Sequence, residues 1–270
     1  MRTEEFSVKT EGSEKGAKLC TYILDIGDGI GWKRRPLLLI CPGGGYEITS
    51  DREAEPLAMQ FLAMGYHAAV LRYSCRPAVF PTALTELAIA MKMIKENMEN
   101  WKIEPGKVFV LGCSAGGHLA ASLGTFWNKQ WLQKITGISN EILRPAGMIL
   151  CYPVITSGEY AHRASFVNLL GEQYGEEMLE KVSLEKQVTE DVPQTFLWHT
   201  YTDTAVPVEN SLLFIEAMRK YKTPVEFHMY PVGSHGLATC GRQTVTTEND
   251  GVQQECESWL PLVRTWLEHR

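Results

Sequence analysis

Lys107-Val108-Phe109-Val110-Leu111-Gly112-Cys113-Ser114-Ala115-Gly116-Gly117-His118-Leu119 is the stretch from which the rest of the chain can be read. Residues 107–111 form a β-prone run, and the Ala- and Leu-rich stretch over about 117–126 reads as a helix. Only Gly112-Cys113-Ser114-Ala115-Gly116 lies between them, so a strand must turn directly into a helix. Such a bend forces its central residue into a strained backbone conformation and pushes that side chain out above the sheet. The residues two before and two after the centre are brought alongside one another and must be small, and both are Gly. Ser114 alone is centred between them. A thiol is intrinsically the better nucleophile, but the position of Cys113 directs it into the packing beneath the turn.

Outward from this turn, short aliphatic runs alternate with helical patterns, which predicts a mainly parallel sheet covered by helices on both faces. Leu37-Leu38-Leu39-Ile40-Cys41 reads as a buried strand stopped by Gly43-Gly44-Gly45. A helix is expected over about 51–64, ending at Gly65, and a strand over 67–71. Leu84, Leu87, Ile89 or Met91, and Ile94 recur at helical spacing. Strands over 147–151, 195–199 and 225–230 and helices over about 208–220 and 254–267 continue the alternation, each step supporting a right-handed crossover. Residues 1–35 depart from it and read as an antiparallel hairpin at the sheet edge, with one strand over 18–24. Residues 156–192 also depart: the segment is too long for a simple connection and carries Phe166, Leu169, Leu170, Met178 and Leu179, so it reads as a small cap or flap over the site. No repeat or linker is evident, and 270 residues suit one domain, 1–270.

A serine hydroxyl needs a base, and the chain offers His67, His118, His162, His199, His228, His235 and His269. His67 begins a strand, His228 lies within one, and His269 is in the C-terminal tail. His118 stands four residues from Ser114 on the following helix and reads as a packing or supporting residue. His235 lies in Gly233-Ser234-His235-Gly236, a loop directly after the strand ending at Tyr230, where it can reach over the carboxyl ends of the strands. The imidazole needs an acid to orient it and to stabilise its charged form. Asp203, between a strand and the helix near Pro207, is placed for that role, whereas Asp191 precedes the strand and Glu209 lies in the helix. The order is Ser, Asp, His. The developing oxyanion needs converging backbone N–H groups. Ala115 supplies one, and Gly44 and Gly45 in Pro42-Gly43-Gly44-Gly45-Tyr46 are placed to supply others, since no G-K-[ST] follows to make this run a phosphate cradle.

Composition narrows the partners. Lys and Arg number 26 against 32 Asp and Glu, a net charge of -6, with no basic run to track a phosphate backbone, so nucleic acid is not expected. No apolar stretch approaches the roughly 20 residues that span a bilayer, and Met1-Arg2-Thr3-Glu4-Glu5 is unlike a secretory signal. No membrane partner is expected. The cysteines, Cys20, Cys41, Cys75, Cys113, Cys151, Cys240 and Cys256, are odd in number and lie partly inside apolar runs, which suits reduced thiols and a cytoplasmic location. No C-x-x-C or H-E-x-x-H announces a metal site.

With Pro42-Gly43-Gly44-Gly45-Tyr46, Gly112 to Leu119, Tyr152-Pro153-Val154-Ile155, His199 to Pro207 and Ser234-His235-Gly236 in hand, the chain resembles the α/β-hydrolase esterases of the hormone-sensitive-lipase-like group. It is closer to the bacterial acetyl esterase or acetylxylan-esterase-like branch, which also has Pro where the wider group often has a histidine ahead of the glycines. The group's His-Gly pair before the acid is here His199-Thr200. The resemblance implies an α/β-hydrolase fold and cofactor-free hydrolysis, through an acyl-enzyme, of short acyl esters on a small molecule or oligosaccharide such as a xylo-oligosaccharide. General short-chain carboxylesterase, arylformamidase and non-catalytic ligand binder stay open as alternatives, as does the oligomeric state. The segment ahead of Pro42 is short, which implies an open entrance. Tyr46, Tyr160, His162 and Tyr174 are expected at its rim, against sugar.

Overall fold

The computed structural model describes residues 1–246 and 251–270. It begins with β1 (Arg2–Ser7), β2 (Lys18–Ile23), β3 (Arg35–Cys41), α1 (Glu55–Ala63), β4 (His67–Arg72), α2 (Thr82–Glu96), β5 (Ile103–Cys113) and α3 (Ala115–Phe126). The short helices α4 (Gln130–Thr136) and α5 (Asn140–Leu143) lead to β6 (Met148–Cys151). Next come α6 (Arg163–Leu170), α7 (Glu176–Val182), β7 (Thr195–Thr200), α8 (Glu209–Lys220), β8 (Val225–Tyr230) and α9 (Trp259–Glu268). The eight strands form one sheet in the order β1-β2-β4-β3-β5-β6-β7-β8. β1 and β2 make the antiparallel edge, and β4, β3, β5, β6, β7 and β8 run parallel.

The aliphatic runs divide between the faces with the period of two that a strand imposes. Leu37, Leu39, Leu71 and Val110 point to one side, where they pack with Leu87 and Met91 of α2, Leu119 and Leu123 of α3 and Phe214 of α8. Leu38, Ile40, Val70, Phe109 and Leu111 point to the other, against Leu57 and Phe61 of α1 and Trp259, Val263 and Trp266 of α9. Because both faces are covered, β3 is buried at every residue, and a continuous apolar run is what such a strand requires.

Several boundaries differ from those the pattern predicts. The helix expected over about 51–64 is split: Asp51–Glu53 is a 3-10 turn, Ala54 breaks the geometry at φ −104 and ψ −103, and α1 starts beyond it. Pro56 explains the position, since proline lacks an N–H to donate and is accommodated only in a helix's first turn. The helix expected over about 254–267 likewise opens with a 3-10 turn, Gln254–Ser258, and α9 begins two residues ahead of Pro261. β5 extends beyond 107–111 at both ends, and α3 starts at Ala115, immediately after the serine. Residues 156–192 hold α6, α7 and a 3-10 turn at Leu184–Lys186. No helix among the described residues is long and apolar enough to cross a membrane.

The strand-to-helix turn is the tightest backbone approach in this architecture. A Cβ on Gly112 would collide with the carbonyl oxygen of Gly116, and one on Gly116 with the carbonyl oxygens of Cys41 and Pro42. Those obstacles are buried backbone atoms at the end of β3 and the start of α3 and cannot swing aside. Gly116→Ala should therefore cost about 3 kcal/mol or more. A Cβ at Gly29 meets nothing within 4 Å, so Gly29→Ala should leave stability within about 0.5 kcal/mol of the parent. Urea unfolding of the two variants checks the contrast, and equal midpoints would refute it.

Candidate active site

Ser114 occupies the turn at φ 53 and ψ −119, a region unfavourable for any residue with a Cβ, and it is the residue immediately before α3. β6 and its exit hold it there: the Ser114 N–H donates to the Cys151 carbonyl at 3.0 Å, and the Ser114 carbonyl accepts from Val154 N–H at 3.0 Å and His118 N–H at 3.1 Å. Cys113 is fully buried among the residues facing α1 and α9, and burial pushes its thiol well above the ordinary range.

His235 reaches the serine from the loop after β8. Its Nε2 lies 2.7 Å from Ser114 Oγ, and its Nδ1 lies 2.6 Å from Asp203 Oδ2. An ionised carboxylate only accepts, so Nδ1 carries the proton and Nε2 is left to accept the serine O–H. The other Asp203 oxygen accepts the N–H groups of Ala205 at 3.0 Å and Val206 at 2.9 Å. Burial alone would raise this carboxyl group. Hydrogen bonds from His199 and His235, the charge on His235 and the Val206 N–H outweigh it and hold Asp203 well below the usual carboxylate range. His199 is fully buried, donating from Nε2 to the Val206 carbonyl at 2.9 Å and accepting from Ser211 Oγ at 2.7 Å. Asp191 is elsewhere, bonded to Asn128, and Glu209 opens α8.

The glycine loop after β3 runs beside this line. Gly44 and Gly45 have φ of 120 and 65, and neither their N–H groups nor that of Ala115 has an acceptor among the described residues. Gly43 differs: its N–H donates to Glu53 Oε2 at 2.8 Å. Glu53, only 3% exposed, accepts the Tyr152 O–H with its other oxygen at 2.8 Å, and Tyr152 Oη accepts the Ala238 N–H at 2.9 Å. A hydrogen-bonded path thus joins the glycine loop to the loop that carries His235, and the Tyr152 ring meets the His235 ring edge to face at 5.2 Å. Reading the sequence missed both Glu53 and Tyr152. Glu53 is one of several charged residues after the glycines, with Glu47, Asp51, Arg52 and Glu55, and nothing in the sequence singles it out.

The segment over 156–192 touches the glycine loop. Asn168 on α6 donates to the Gly45 carbonyl at 2.9 Å. His162, just ahead of α6, lies 2.8 Å from Ser165 Oγ, and burial followed by the nearby His235 charge depresses its imidazole. Tyr160 is partly exposed beside it, with its carbonyl accepting from Asn210. Tyr174 is partly exposed in the stretch ahead of α7. Tyr46 is not at the rim, contrary to the sequence-based expectation. It is buried, with its hydroxyl 2.9 Å from His118 Nδ1, because its φ of 57 turns the ring back under the loop toward α3. Among the described residues no cluster of three or more His, Cys, Asp or Glu is placed to hold a metal ion.

The BD-FAE family model matches residues 30–218, well over half the chain. The chain belongs to the BD-FAE family. It is similar to endo-1,4-beta-xylanase B of Butyrivibrio fibrisolvens, 38% identical over 76% of this chain and 33% of that protein. It is also similar to the acetylxylan esterase of Xylanibacter ruminicola, 27% identical over 82% of this chain and 44% of that protein. The chain thus spans less than half the length of either curated relative. Among solved structures, an acetyl ester-xyloside bifunctional hydrolase from Caldicellulosiruptor lactoaceticus superposes with a TM-score of 0.80 at 34% identity, covering 94% of this chain and 88% of that one. The architecture is that of an α/β-hydrolase.

In this BD-FAE chain, His118 ties the site together from below. Its Nε2 lies 2.8 Å from the Val182 carbonyl and must donate to it, so Nδ1 accepts the Tyr46 O–H. Burial depresses the imidazole from its ordinary value of 6.5 to about 4. A neutral histidine with a lowered folded pKa contributes stability that is complete above about pH 6.5 and is lost as the pH falls through about 4. The loss attributable to His118 is on the order of 3 kcal/mol. His67, depressed to about 4 by burial and then by Arg35, adds to the parent's acid sensitivity. In His118→Gln the slope of stability against pH between about 6.5 and 4 should be shallower, with the His67 part remaining. Urea midpoints measured across that window test this, and a slope as steep as the parent's would refute it.

Proposed function

We propose that this chain is a serine esterase that removes short acyl groups, acetyl above all, from carbohydrate esters such as acetylated xylo-oligosaccharides. The observation that carries the reading is the hydrogen-bonded line from Asp203 through His235 Nδ1 and Nε2 to Ser114 Oγ, ending on a serine held in a strained turn. His235 takes the Ser114 proton as Oγ attacks the ester carbonyl, and Asp203 stabilises the imidazolium that forms. The carbonyl oxygen becomes an oxyanion between the N–H groups of Ala115, Gly44 and Gly45. His235 then passes its proton to the departing alcohol oxygen. Water repeats the sequence on the acyl-enzyme, releasing the acid and restoring Ser114.

Gly43 has a different part in this scheme. With its N–H held by Glu53, the loop leaves its next two N–H groups free for the carbonyl oxygen of the ester, and the path through Tyr152 fixes the histidine loop relative to them. Carbohydrate as the alcohol is supported by the relatives, since an acetylxylan esterase and an acetyl ester-xyloside hydrolase are among them. All seven cysteines are unpaired, which favours a reducing compartment, the cytoplasm.

Ser114→Ala should lower kcat for p-nitrophenyl acetate by several powers of ten with an unfolding midpoint close to the parent's, and Asp203→Asn should lower kcat by about 10⁴-fold. Labelling of a serine other than Ser114 by an organophosphonate would overturn the assignment. Glu53→Ala should reduce kcat more than it raises KM, because it loosens the oxyanion loop rather than a substrate contact; steady-state kinetics on the same ester read the split. Acyl length is a further check. An open apolar tunnel would add about 0.8 kcal/mol per methylene, whereas a closed acyl pocket makes kcat/KM fall from acetate to butyrate and nearly vanish at octanoate. Efficiency that climbs to octanoate, with no acetate released from acetylated oligosaccharides, would mark a general carboxylesterase instead.

A further inference from the structure

A cleft of about 480 Å³ lies beside the site, lined by Arg76, Pro77, Val79, Val167, Asn168 and Glu172. One wall is the 75–80 turn after β4, and the other is the C-terminal half of α6 with the residues that follow it. Both walls are fastened to the glycine loop. The Arg76 N–H donates to the Tyr46 carbonyl at 2.9 Å, and Asn168 Nδ2 donates to the Gly45 carbonyl at 2.9 Å. The Phe80 N–H donates to the Leu169 carbonyl at 2.7 Å and joins the walls to each other. The cleft is thus built against the two peptide units that directly follow those presenting the Gly44 and Gly45 N–H groups.

The sequence of α6 connects the cleft to the reacting groups. Ser165 and Asn168 stand three apart on α6, and His162, just ahead of the helix, is bonded to Ser165. His162 Nδ1 lies 2.8 Å from Ser165 Oγ, the position of a Cβ on Gly45 is 3.8 Å from that same oxygen, and Asn168 lines the cleft. One helix face therefore leads from the histidine, past the glycine loop, into the cleft. The axial rise from the helix start at Arg163 to Asn168 is about 7.5 Å, a reach that suits a chain of linked rings and exceeds that of a simple alcohol.

The chemistry of the lining selects among occupants. Val79 and Val167 are 42% and 41% exposed, offering apolar patches that fit the C–H faces of pyranose rings. The amide of Asn168, the carboxylate of Glu172 and the Arg76–Glu47 ion pair surround those patches with groups that bond ring hydroxyls. A fatty chain would meet the charges of Arg76 and Glu172, and an anion would meet the Glu172 carboxylate and an Arg76 already paired with Glu47. We infer that this cleft binds the sugar units of the alcohol that lie beyond the esterified one, so that the substrate is an acylated oligosaccharide rather than an acylated monosaccharide. The inference rests on the esterase reading above and adds the site and the chain length.

The test compares kcat/KM on three esters, acetylated xylotriose, acetylated xylose and p-nitrophenyl acetate, for the parent, Val167→Asp and Glu172→Ala. The parent should prefer the trisaccharide to the monosaccharide. In the variants the ratio of kcat/KM on the trisaccharide to that on p-nitrophenyl acetate should fall about tenfold. That ratio is insensitive to the fraction of correctly folded enzyme. A ratio equal to the parent's in both variants, or no preference for the trisaccharide in the parent, overturns the cleft and leaves the esterase reading standing. Hydrolysis of p-nitrophenyl acetate with no acetate released from either sugar overturns both the cleft and the carbohydrate assignment. Inactivity on all three esters overturns the esterase reading itself.

Discussion

The approach of α3 to the ends of β3 and β5 governs the site, because it is set by backbone atoms alone. Gly116 sits against the carbonyls of Cys41 and Pro42, and Gly112 against Gly116 itself. That distance leaves Ser114 no relaxed conformation, and its backbone is instead secured to Cys151 and Val154 at the end of β6. Three parallel strands thus share the strain of one residue. The same closeness sets the first N–H of α3, that of Ala115, beside the glycine loop leaving β3.

Two buried carboxylates flank this point and are treated differently by their surroundings. Asp203 accepts from His235 and two N–H groups and lies 3.4 Å from His199 Nε2, so its charge is both stabilised by hydrogen bonds and aimed. Glu53 receives a peptide N–H and a phenol and has no cationic partner in those bonds. A buried carboxylate without a cation is tolerated only when both oxygens are satisfied. Its geometry is therefore demanding, and the loops that satisfy it are correspondingly fixed. Trp259 on α9 extends the path, donating from Nε1 to the Ala238 carbonyl at 3.1 Å, so the histidine loop is anchored from the far face of the sheet as well.

Much of this was legible in the chain. The parallel sheet follows from runs such as Leu37-Leu38-Leu39-Ile40, whose residues divide strictly between two cores. Ser114, Asp203 and His235 were selected by position at strand ends, and the structure brings those three within hydrogen-bonding distance. What escaped notice lacks periodicity or depends on distant partners. Tyr46 follows the glycines in an irregular loop, where no alternation tells inside from outside. Tyr152 and Glu53 are 99 residues apart, and nothing local to either announces the pair. The four-residue α5 is too short to register a helical repeat, and Pro56 and Pro261 shift helix starts that apolar spacing alone cannot locate.

The placement of α6 and α7 has a wider consequence. Every residue of the hydrogen-bonded line and of the glycine loop leaves the end of a strand, whereas these two helices occupy one excursion between β6 and β7. No strand register depends on the length of that excursion. Insertions, deletions and substitutions there can reshape what is recognised while the chemistry beneath stays intact. Descent with modification can thus act on selectivity and reactivity as nearly independent traits, joined chiefly where Asn168 grips the Gly45 carbonyl.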